Sequence, residues 1–355
     1  MNWIRTSPYI EAQTLTFKYK CNVALFDLDG TLINVKSKSK FSKDESDFKF
    51  FSENIINKLK QLVNNNYCII IITNQKGISK NNPNIEVWKK KIENINNILQ
   101  IPFKLFSSIA DDKYRKPNKT FYDMILECLG KDKLEIKDSF YCGDAFSDKC
   151  FNDTDYKFAL NCKITFLTPN EFFLEKTDTK NVTYTNFPEQ TSSDKIMESI
   201  KEKDPILIIM VGFPASGKTS FVKDNLEPMG FIRINMDTLK TPKKCLSVCE
   251  ESMKQKKNVV IDNTNPDVDT RKKYLDLAKK YKYESKALIM TSNKDLSIHN
   301  MHYRSLKLDL KPIPALVYNI YTKKYVKPTC EEGFKEIHEI NMMYPNDTNY
   351  FLYLY

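Results

Sequence analysis

The stretch that most constrains this chain is GFPASGKT, residues 212–219, which directly follows the apolar run ILIIMV. It satisfies the pattern GxxxxGK[ST] between a predicted strand and a predicted helix, the context in which this pattern binds nucleotide phosphates. We expect the loop amides and the helix N-terminus to surround the phosphates of ATP, the lysine to reach the β- and γ-phosphates and the threonine hydroxyl to bind Mg²⁺. The residues predicted to bind the nucleotide are Gly212, Ser216, Gly217, Lys218, Thr219 and Ser220, with Asp262 from a later strand.

Three further residues of the C-terminal half suit a kinase. Asp237 follows the run FIRIN, where a carboxylate can accept the proton of an attacking hydroxyl, although it can equally be a helix N-cap. Asp262 ends NVVID, at the position of an acid beside the magnesium ion, although the NTNPD that follows it is also ordinary turn chemistry. Arg304 in HNMHYR can neutralise charge in the transition state, although a surface arginine without a role is the simpler interpretation. The absence of HRD and DFG sequences excludes a protein kinase.

A second group of motifs lies far upstream. FDLDGTL places Asp27 at the end of a predicted strand and Asp29 two residues later, an arrangement that suits a nucleophile attacking phosphorus and an acid–base group. Mg²⁺ is expected nearby, because it permits one anion to attack another. Thr73 and Lys116 are candidates to bind and neutralise the phosphoryl group, although singly they can be a turn residue and a surface lysine. The predicted metal ligands in this half are Asp27, Asp29, Asp144 and Asp148, with Asp155 as an alternative to Asp148. Thr219 is the predicted metal ligand of the ATP site.

Alternating apolar runs and amphipathic segments predict two α/β domains, each with a mainly parallel sheet flanked by helices. The first is expected to be Rossmann-like and the second to have the fold of P-loop nucleotide hydrolases. The predicted strands are NVALFD, YCIIIIT and SFYC in the first domain, and ILIIMV, FIRIN, NVVID and KALIMT in the second. We therefore expect an N-terminal segment at 1–20, domains at 21–175 and 205–355, and a polar linker at 176–204.

Composition excludes several classes of protein. The 355 residues contain no apolar stretch long enough to cross a membrane, and the N-terminus lacks a secretory pattern. Nine cysteines without repeated spacing indicate reduced thiols, and three histidines argue against a zinc site. The net charge of +10 permits a polyanionic partner, although a lysine-rich surface also serves solubility. We expect an intracellular monomer, nuclear or cytoplasmic, that does not enter membranes.

The motif order in residues 21–170 resembles that of the haloacid-dehalogenase-type phosphatases. With TPNEFF, GFPASGKT, DTL, VVIDNTNPD and PTCEEGF, the chain from about 22 to 334 resembles the polynucleotide kinase 3′-phosphatase family, which heals nucleic-acid ends. The resemblance implies that Asp27 attacks a 3′-phosphate to form an aspartyl-phosphate, with Asp29 as acid and then base. It also implies that Asp237 deprotonates a 5′-hydroxyl that attacks ATP. The substrates would be DNA ends, or those of RNA, with Mg²⁺ and ATP as cofactors.

The chain departs from that family pattern in places. The first twenty residues are too few for the family's N-terminal phosphopeptide-binding domain, so we expect that domain to be lacking. TPKK stands where the family has a tryptophan and an arginine for the acceptor strand, so Lys244 is expected to contact substrate, as is Arg271. His302 replaces a usual arginine, and Cys150 stands where an aspartate is expected.

Two alternatives stay open at this stage. One is a kinase and phosphatase pair that acts on a sugar or a free nucleotide, and the other is a break-binding scaffold with decayed sites. Because every proposed catalytic position carries a competent residue, the sequence favours an enzyme.

Overall fold

The computed structural model describes residues 1–37, 39, 42–78, 84–130, 138–147, 150, 152–182, 184–188, 194–200 and 205–355. The chain divides into two compact units. The first unit comprises Met1–Tyr184 and Phe351–Tyr355, and the second comprises Thr185–Tyr350. The described residues of the expected linker are therefore shared between the units, and the last five residues belong with the first unit.

The first unit is built on a seven-stranded sheet in the order β1-β2-β7-β6-β3-β8-β9. Its elements are β1 (Asn2–Arg5), β2 (Tyr9–Gln13), β3 (Asn22–Phe26), β4 (Ile33–Asn34), β5 (Lys49–Phe50), α1 (Ile55–Asn64), β6 (Tyr67–Asn74), α2 (Asn84–Leu99), β7 (Phe103–Ser108), α3 (Thr120–Leu129), β8 (Phe140–Cys142), α4 (Thr154–Cys162), β9 (Thr165–Leu167) and α5 (Pro169–Leu174). Four neighbouring pairs of this sheet are parallel, namely β7-β6, β6-β3, β3-β8 and β8-β9. Strands β4 and β5 form a separate antiparallel pair.

Strand β3 lies between β6 and β8 and is buried on both faces. Val23 and Leu25 belong to one core cluster, whereas Ala24 and Phe26 belong to the cluster on the other face. Successive side chains of a strand point to opposite faces, so an unbroken apolar run requires helices on both sides of the sheet. The three strands predicted in this half are confirmed, and their carboxyl ends meet at one edge of the sheet.

The segment expected at residues 1–20 contributes two strands, β1 and β2, to this sheet and belongs to the first unit. Strand β2 pairs antiparallel with β7, from Tyr9 opposite Ser108 to Gln13 opposite Lys104, and β1 pairs with β2. Ile10 and Ala12 are fully buried. Local periodicity does not reveal this pairing, because β2 is short and its partner lies about a hundred residues away in the chain.

The second unit contains a parallel five-stranded sheet in the order β11-β12-β10-β13-β14. Its elements are α6 (Asp194–Ile200), β10 (Ile206–Val211), α7 (Lys218–Phe221), β11 (Ile232–Ile234), α8 (Met236–Leu239), α9 (Pro242–Lys254), β12 (Val259–Ile261), α10 (Val268–Tyr281), β13 (Glu284–Met290), α11 (Lys294–Leu308), α12 (Ala315–Lys324), β14 (Glu336–Ile340) and α13 (Thr348–Leu352), which ends in the first unit.

Central strand β10 repeats the same pattern of burial. Leu207, Ile209 and Val211 pack on one face of the sheet, and the three residues that alternate with them pack on the other. The four strands predicted here are confirmed to within two residues at each end, and β14 is an addition. The α/β class with two mainly parallel sheets is therefore correct. In the described part of the chain, no helix combines the length and the apolar character that crossing a membrane requires.

Candidate active sites

The first candidate site lies at the carboxyl end of β3. Asp27 continues the ladder, because its backbone N–H donates to the Cys142 carbonyl at 2.9 Å. The buried Lys116 ammonium donates to Asp27 Oδ1 at 2.5 Å, to Asp155 Oδ1 at 2.7 Å and to the Tyr141 hydroxyl at 2.6 Å. The Tyr141 hydroxyl in turn donates to Asp155 Oδ1 at 2.9 Å. The fold therefore brings the predicted nucleophile and the predicted lysine into direct contact.

The carboxylates around Lys116 suit a divalent cation. One ligand atom each from Asp27, Asp144 and Asp155 lies within 4.8 Å of the others. Burial, and then the charge of Asp155, raises the pKa of Asp144 to about 7, and burial also raises the pKa of Asp27. One ammonium cannot balance three clustered carboxylates, of which Asp27 and Asp155 are buried and Asp144 is half-buried, whereas Mg²⁺ prefers such oxygen ligands and would supply the missing charge.

Asp155 has different surroundings from the other two acids of this group. Asp155 Oδ1 is occupied by Lys116 and Tyr141, and its Oδ2 accepts the Ala145 backbone N–H at 3.1 Å. Asp155 is therefore suited to hold Lys116, which leaves Asp27 and Asp144 as the candidate cation ligands. Asp148, which is also a predicted metal ligand, lies outside the described residues.

The backbone directly after the second aspartate of FDLDGTL is tightly constrained. Gly30 has a φ of 84°, in the left-handed region, and a Cβ atom there would collide with the carboxylate of Asp144. Glycine tolerates this conformation without steric cost. Within the described residues, Asp29 is not part of the acidic group, although the sequence analysis predicted it as a metal ligand. Its carboxylate instead contacts two residues that the sequence analysis did not single out, Gln75 and Lys91.

Thr73 is connected to Asp29 through Gln75. The threonine is buried at the end of β6, and its Oγ1 accepts from Gln75 Nε2 at 3.0 Å. The same Nε2 donates to Asp29 Oδ2 at 2.5 Å. Only the position of Gln75 two residues after Thr73, in TNQ, hinted at this link. Nothing in the sequence pointed to Lys91, which lies on α2 among other lysines.

The second candidate site is the loop between β10 and α7. Lys218 Nζ donates to the carbonyls of Gly212 at 3.0 Å and Phe213 at 2.6 Å. Gly217 has a φ of 97°, and a Cβ atom there would lie 2.6 Å from Met342 Cγ, so only glycine fits. Ser216 is fully buried inside the loop, whereas Ser220 is exposed on α7.

Asp262, which the sequence predicts as an acid beside a magnesium ion, contacts the end of the loop. Its Oδ2 accepts from the Thr219 hydroxyl at 2.8 Å and from Arg233 Nε at 2.7 Å. Its Oδ1 is buried and has no hydrogen-bond partner in the structure. A buried carboxylate oxygen without a partner is costly, and Mg²⁺ or its bound water would satisfy it. Asp262 and Thr219 therefore fit the metal of an ATP complex, and Arg233 is a neighbour that the sequence analysis missed.

Asp237 and Arg304 are both exposed and act electrostatically on Lys218. Burial lowers the pKa of Lys218 from 10.5 to about 8, a shift that Arg304 increases and that Asp262 and Asp237 oppose. The N-cap of α8 is Asn235, whose side chain accepts from the Asp237 backbone N–H at 2.8 Å. The alternative interpretation of Asp237 as the cap is therefore excluded.

The two predicted substrate contacts have different surroundings. Lys244 is exposed in the first turn of α9. Arg271 is completely buried, and its guanidinium forms two bonds with Glu332, from Nε at 2.8 Å and from a terminal nitrogen at 2.7 Å. Its other terminal nitrogen donates to the Asn265 carbonyl at 3.1 Å. The Arg271 side chain therefore connects parts of the second unit from within and is not accessible at its surface.

Comparison with known proteins agrees with this geometry. Residues 22–173 match the family described as polynucleotide kinase 3 phosphatase, and residues 207–314 match the AAA domain. A protein of Acanthamoeba polyphaga mimivirus named putative bifunctional polynucleotide phosphatase/kinase is 34% identical, with 97% of this chain and 91% of that protein covered. The Schizosaccharomyces pombe bifunctional polynucleotide phosphatase/kinase is 33% identical, with 89% of this chain and 78% of that protein covered. The chain belongs to the bifunctional polynucleotide phosphatase/kinase family.

Proposed function

We propose that this chain heals broken nucleic-acid strands, because its first unit removes 3′-phosphates and its second unit phosphorylates 5′-hydroxyls with ATP. The observation that carries the proposal is the presence, on one chain of this family, of two phosphate sites with different chemistry. In the first site the buried Asp27 accepts a hydrogen bond from Lys116. In the second site Thr219, at the end of the phosphate loop, donates a hydrogen bond to Asp262. The products, a 3′-hydroxyl and a 5′-phosphate, are the ends that a ligase joins.

In the first unit, Asp27 is the nucleophile that attacks the terminal phosphorus. Lys116 holds the Asp27 carboxylate at 2.5 Å and balances negative charge on the phosphoryl group. Thr73 offers its hydroxyl to a phosphoryl oxygen, and Asp29 protonates the leaving 3′-oxygen before it accepts a proton from water. Asp27 and Asp144 would hold Mg²⁺, which would supply the charge neutralisation that lets one anion attack another.

In the second unit, the loop amides and Lys218 hold the nucleotide phosphates, and Asp237 removes the proton of the attacking 5′-hydroxyl. Arg304 is exposed and close enough to act on Lys218, so it is suited to neutralise charge on the transferred group. Thr219 and Asp262 would hold Mg²⁺, which would neutralise charge on the nucleotide phosphates. We assign Lys244, exposed near Asp237 in the chain, to contacts with the strand.

The test is an oligonucleotide with a 5′-hydroxyl and a 3′-phosphate, incubated with ATP and Mg²⁺ as DNA and, separately, as RNA. Both ends should change on at least one of the two polymers, and chelation of Mg²⁺ should stop both reactions. If neither end of either polymer changes while sugar phosphates or free nucleotides react, the proposal is wrong and the enzyme acts on metabolites.

We also propose a monomer in a reducing compartment, the nucleus or the cytoplasm. All nine cysteines have free thiols, which supports the second part. Sedimentation would show a dimer, and imaging of the tagged chain would show an extracytoplasmic location, if either part is wrong.

A further inference from the structure

We propose that Gln75 and Lys91 are positioning residues that hold the Asp29 carboxylate for proton transfer with the leaving oxygen. This inference rests on the proposed phosphatase function. The geometry that carries it is the separate restraint of the two carboxylate oxygens. Oδ2 accepts from the Gln75 amide at 2.5 Å, and Oδ1 lies 3.4 Å from the Lys91 ammonium.

Gln75 ties the acid–base group to the phosphate-binding threonine. Its amide nitrogen carries two hydrogens, and the two acceptors within reach are Asp29 Oδ2 and Thr73 Oγ1. The Gln75 backbone N–H donates to the Ser108 carbonyl at 2.7 Å, and its carbonyl accepts from Ile78 at 3.0 Å. Gln75 is therefore fixed at both its backbone and its side chain, so the distance between Asp29 and Thr73 is set by a rigid connector.

Lys91 approaches Asp29 from α2, and its side chain is only 6% exposed. Its ammonium donates to Ser42 Oγ at 2.9 Å, and the Ser42 hydroxyl donates to the Asp47 carbonyl at 3.0 Å. The side chain of Asp29 is 47% exposed in spite of these partners. The carboxylate is thus restrained from behind and open to a substrate in front, as a proton donor must be.

The chemistry explains why these two partners matter. In the first step a bond forms between Asp27 and phosphorus, the bond from phosphorus to the 3′-oxygen breaks, and the Asp29 proton moves to that oxygen. Asp29 becomes a carboxylate as this proton leaves, and an ammonium and an amide N–H stabilise the charge as it develops. In the second step water attacks phosphorus, Asp27 is released and Asp29 takes up the water proton.

The experiment uses leaving groups that differ in their need for a proton. The variants, made in the whole chain, are Gln75→Met and Lys91→Met, which remove the donors. Methionine matches glutamine in length and is one atom shorter than lysine. Lys90→Met, at an exposed position of the same helix, is the matched control. The substrates are a 3′-phosphate oligonucleotide, 2-glycerol phosphate and p-nitrophenyl phosphate. Single-turnover release of the leaving group isolates the first step.

Alkoxide leaving groups must be protonated, whereas p-nitrophenolate leaves unaided. We expect both variants to lose about tenfold to a hundredfold on the alkyl phosphates, a part of the roughly 10²–10⁴ that acid–base catalysis supplies. Release of p-nitrophenolate should stay within about threefold of the wild-type rate, as should every rate of Lys90→Met and the kinase activity of all variants.

Equal losses on alkyl and aryl phosphates would mean that the two residues only maintain the structure, and no loss on any substrate would mean that they do not act on Asp29; either result overturns the inference. If the wild type leaves 3′-phosphates intact, the proposed function fails. The comparison of 2-glycerol phosphate with p-nitrophenyl phosphate then still decides the role of Gln75 and Lys91.

Discussion

Replacing Arg271 tests whether this residue binds the substrate or stabilises the fold. The sequence predicts a contact of Arg271 with the substrate, whereas in the structure its side chain is completely buried and donates two hydrogen bonds to Glu332. Replacing Arg271 with methionine would leave the carboxylate of Glu332, whose side chain is 7% exposed, without its ion-pair partner, although the Thr329 backbone N–H would still donate to it. Breaking a buried ion pair by removing one member typically costs about 3–5 kcal/mol, because the remaining charge stays buried.

We therefore expect Arg271→Met to destabilise the second unit by about 3–5 kcal/mol. For a unit of this size, that loss lowers the melting temperature by roughly 6–20 °C. The double variant Arg271→Met/Glu332→Leu removes both charges and should recover most of the loss, since apolar replacement of a whole buried pair is often close to neutral. Thermal and urea unfolding, followed with and without ATP to identify the transition of the kinase unit, provide the measurement.

The kinase assay completes this test. In the folded fraction, Arg271→Met should keep the KM for a 5′-hydroxyl oligonucleotide within about threefold of the wild-type value, because the guanidinium does not reach the surface. Unchanged stability together with a KM raised tenfold or more would refute the structural assignment and restore the substrate contact. Lys244→Ala, which changes an exposed residue, should instead leave the free energy of unfolding within about 0.5 kcal/mol.

Three further predictions concern separate parts of the chain. Asp27→Asn should abolish only removal of 3′-phosphate and Asp237→Asn only 5′-phosphorylation on the doubly ended oligonucleotide; loss of both activities from either change would contradict two independent sites. Gly30→Ala should reduce phosphatase activity by at least about tenfold while kinase activity persists, because the added methyl group displaces the Asp144 carboxylate; a fully active variant would show that the loop relaxes freely. Burial lowers the pKa of His299 from 6.5 to about 4, so as the pH drops the unfolded chain takes up this proton before the folded chain does. The free energy of unfolding should therefore fall by up to about 3 kcal/mol between pH 6.5 and pH 4. In urea unfolding measured across this pH range, His299→Gln should reduce the fall, and an unchanged slope would assign the loss to other groups.

Much of the fold followed from sequence patterns. Strands that are buried on both faces, such as β10, can be predicted from their continuous apolar sequence alone, without knowing which strands they pair with. Strand β2 escaped prediction because its burial depends on β7, and the sequence does not indicate that pairing locally. The same limit applies to the helix that carries Lys91, whose lysines look alike until packing buries one of them.

The sequence by itself determined the phosphate loop and the pair Asp27 and Asp29, because both depend on a few consecutive residues whose backbone path is set by glycine and by a strand end. Only the tertiary structure decided the partners. It joined Lys116 to Asp155, Lys91 to Asp29 and Arg271 to Glu332, and the members of each pair are far apart in the chain. The physical reason is that the role of a charged side chain depends on its burial and on the groups that contact it. Both are set by packing between residues that are distant in the chain.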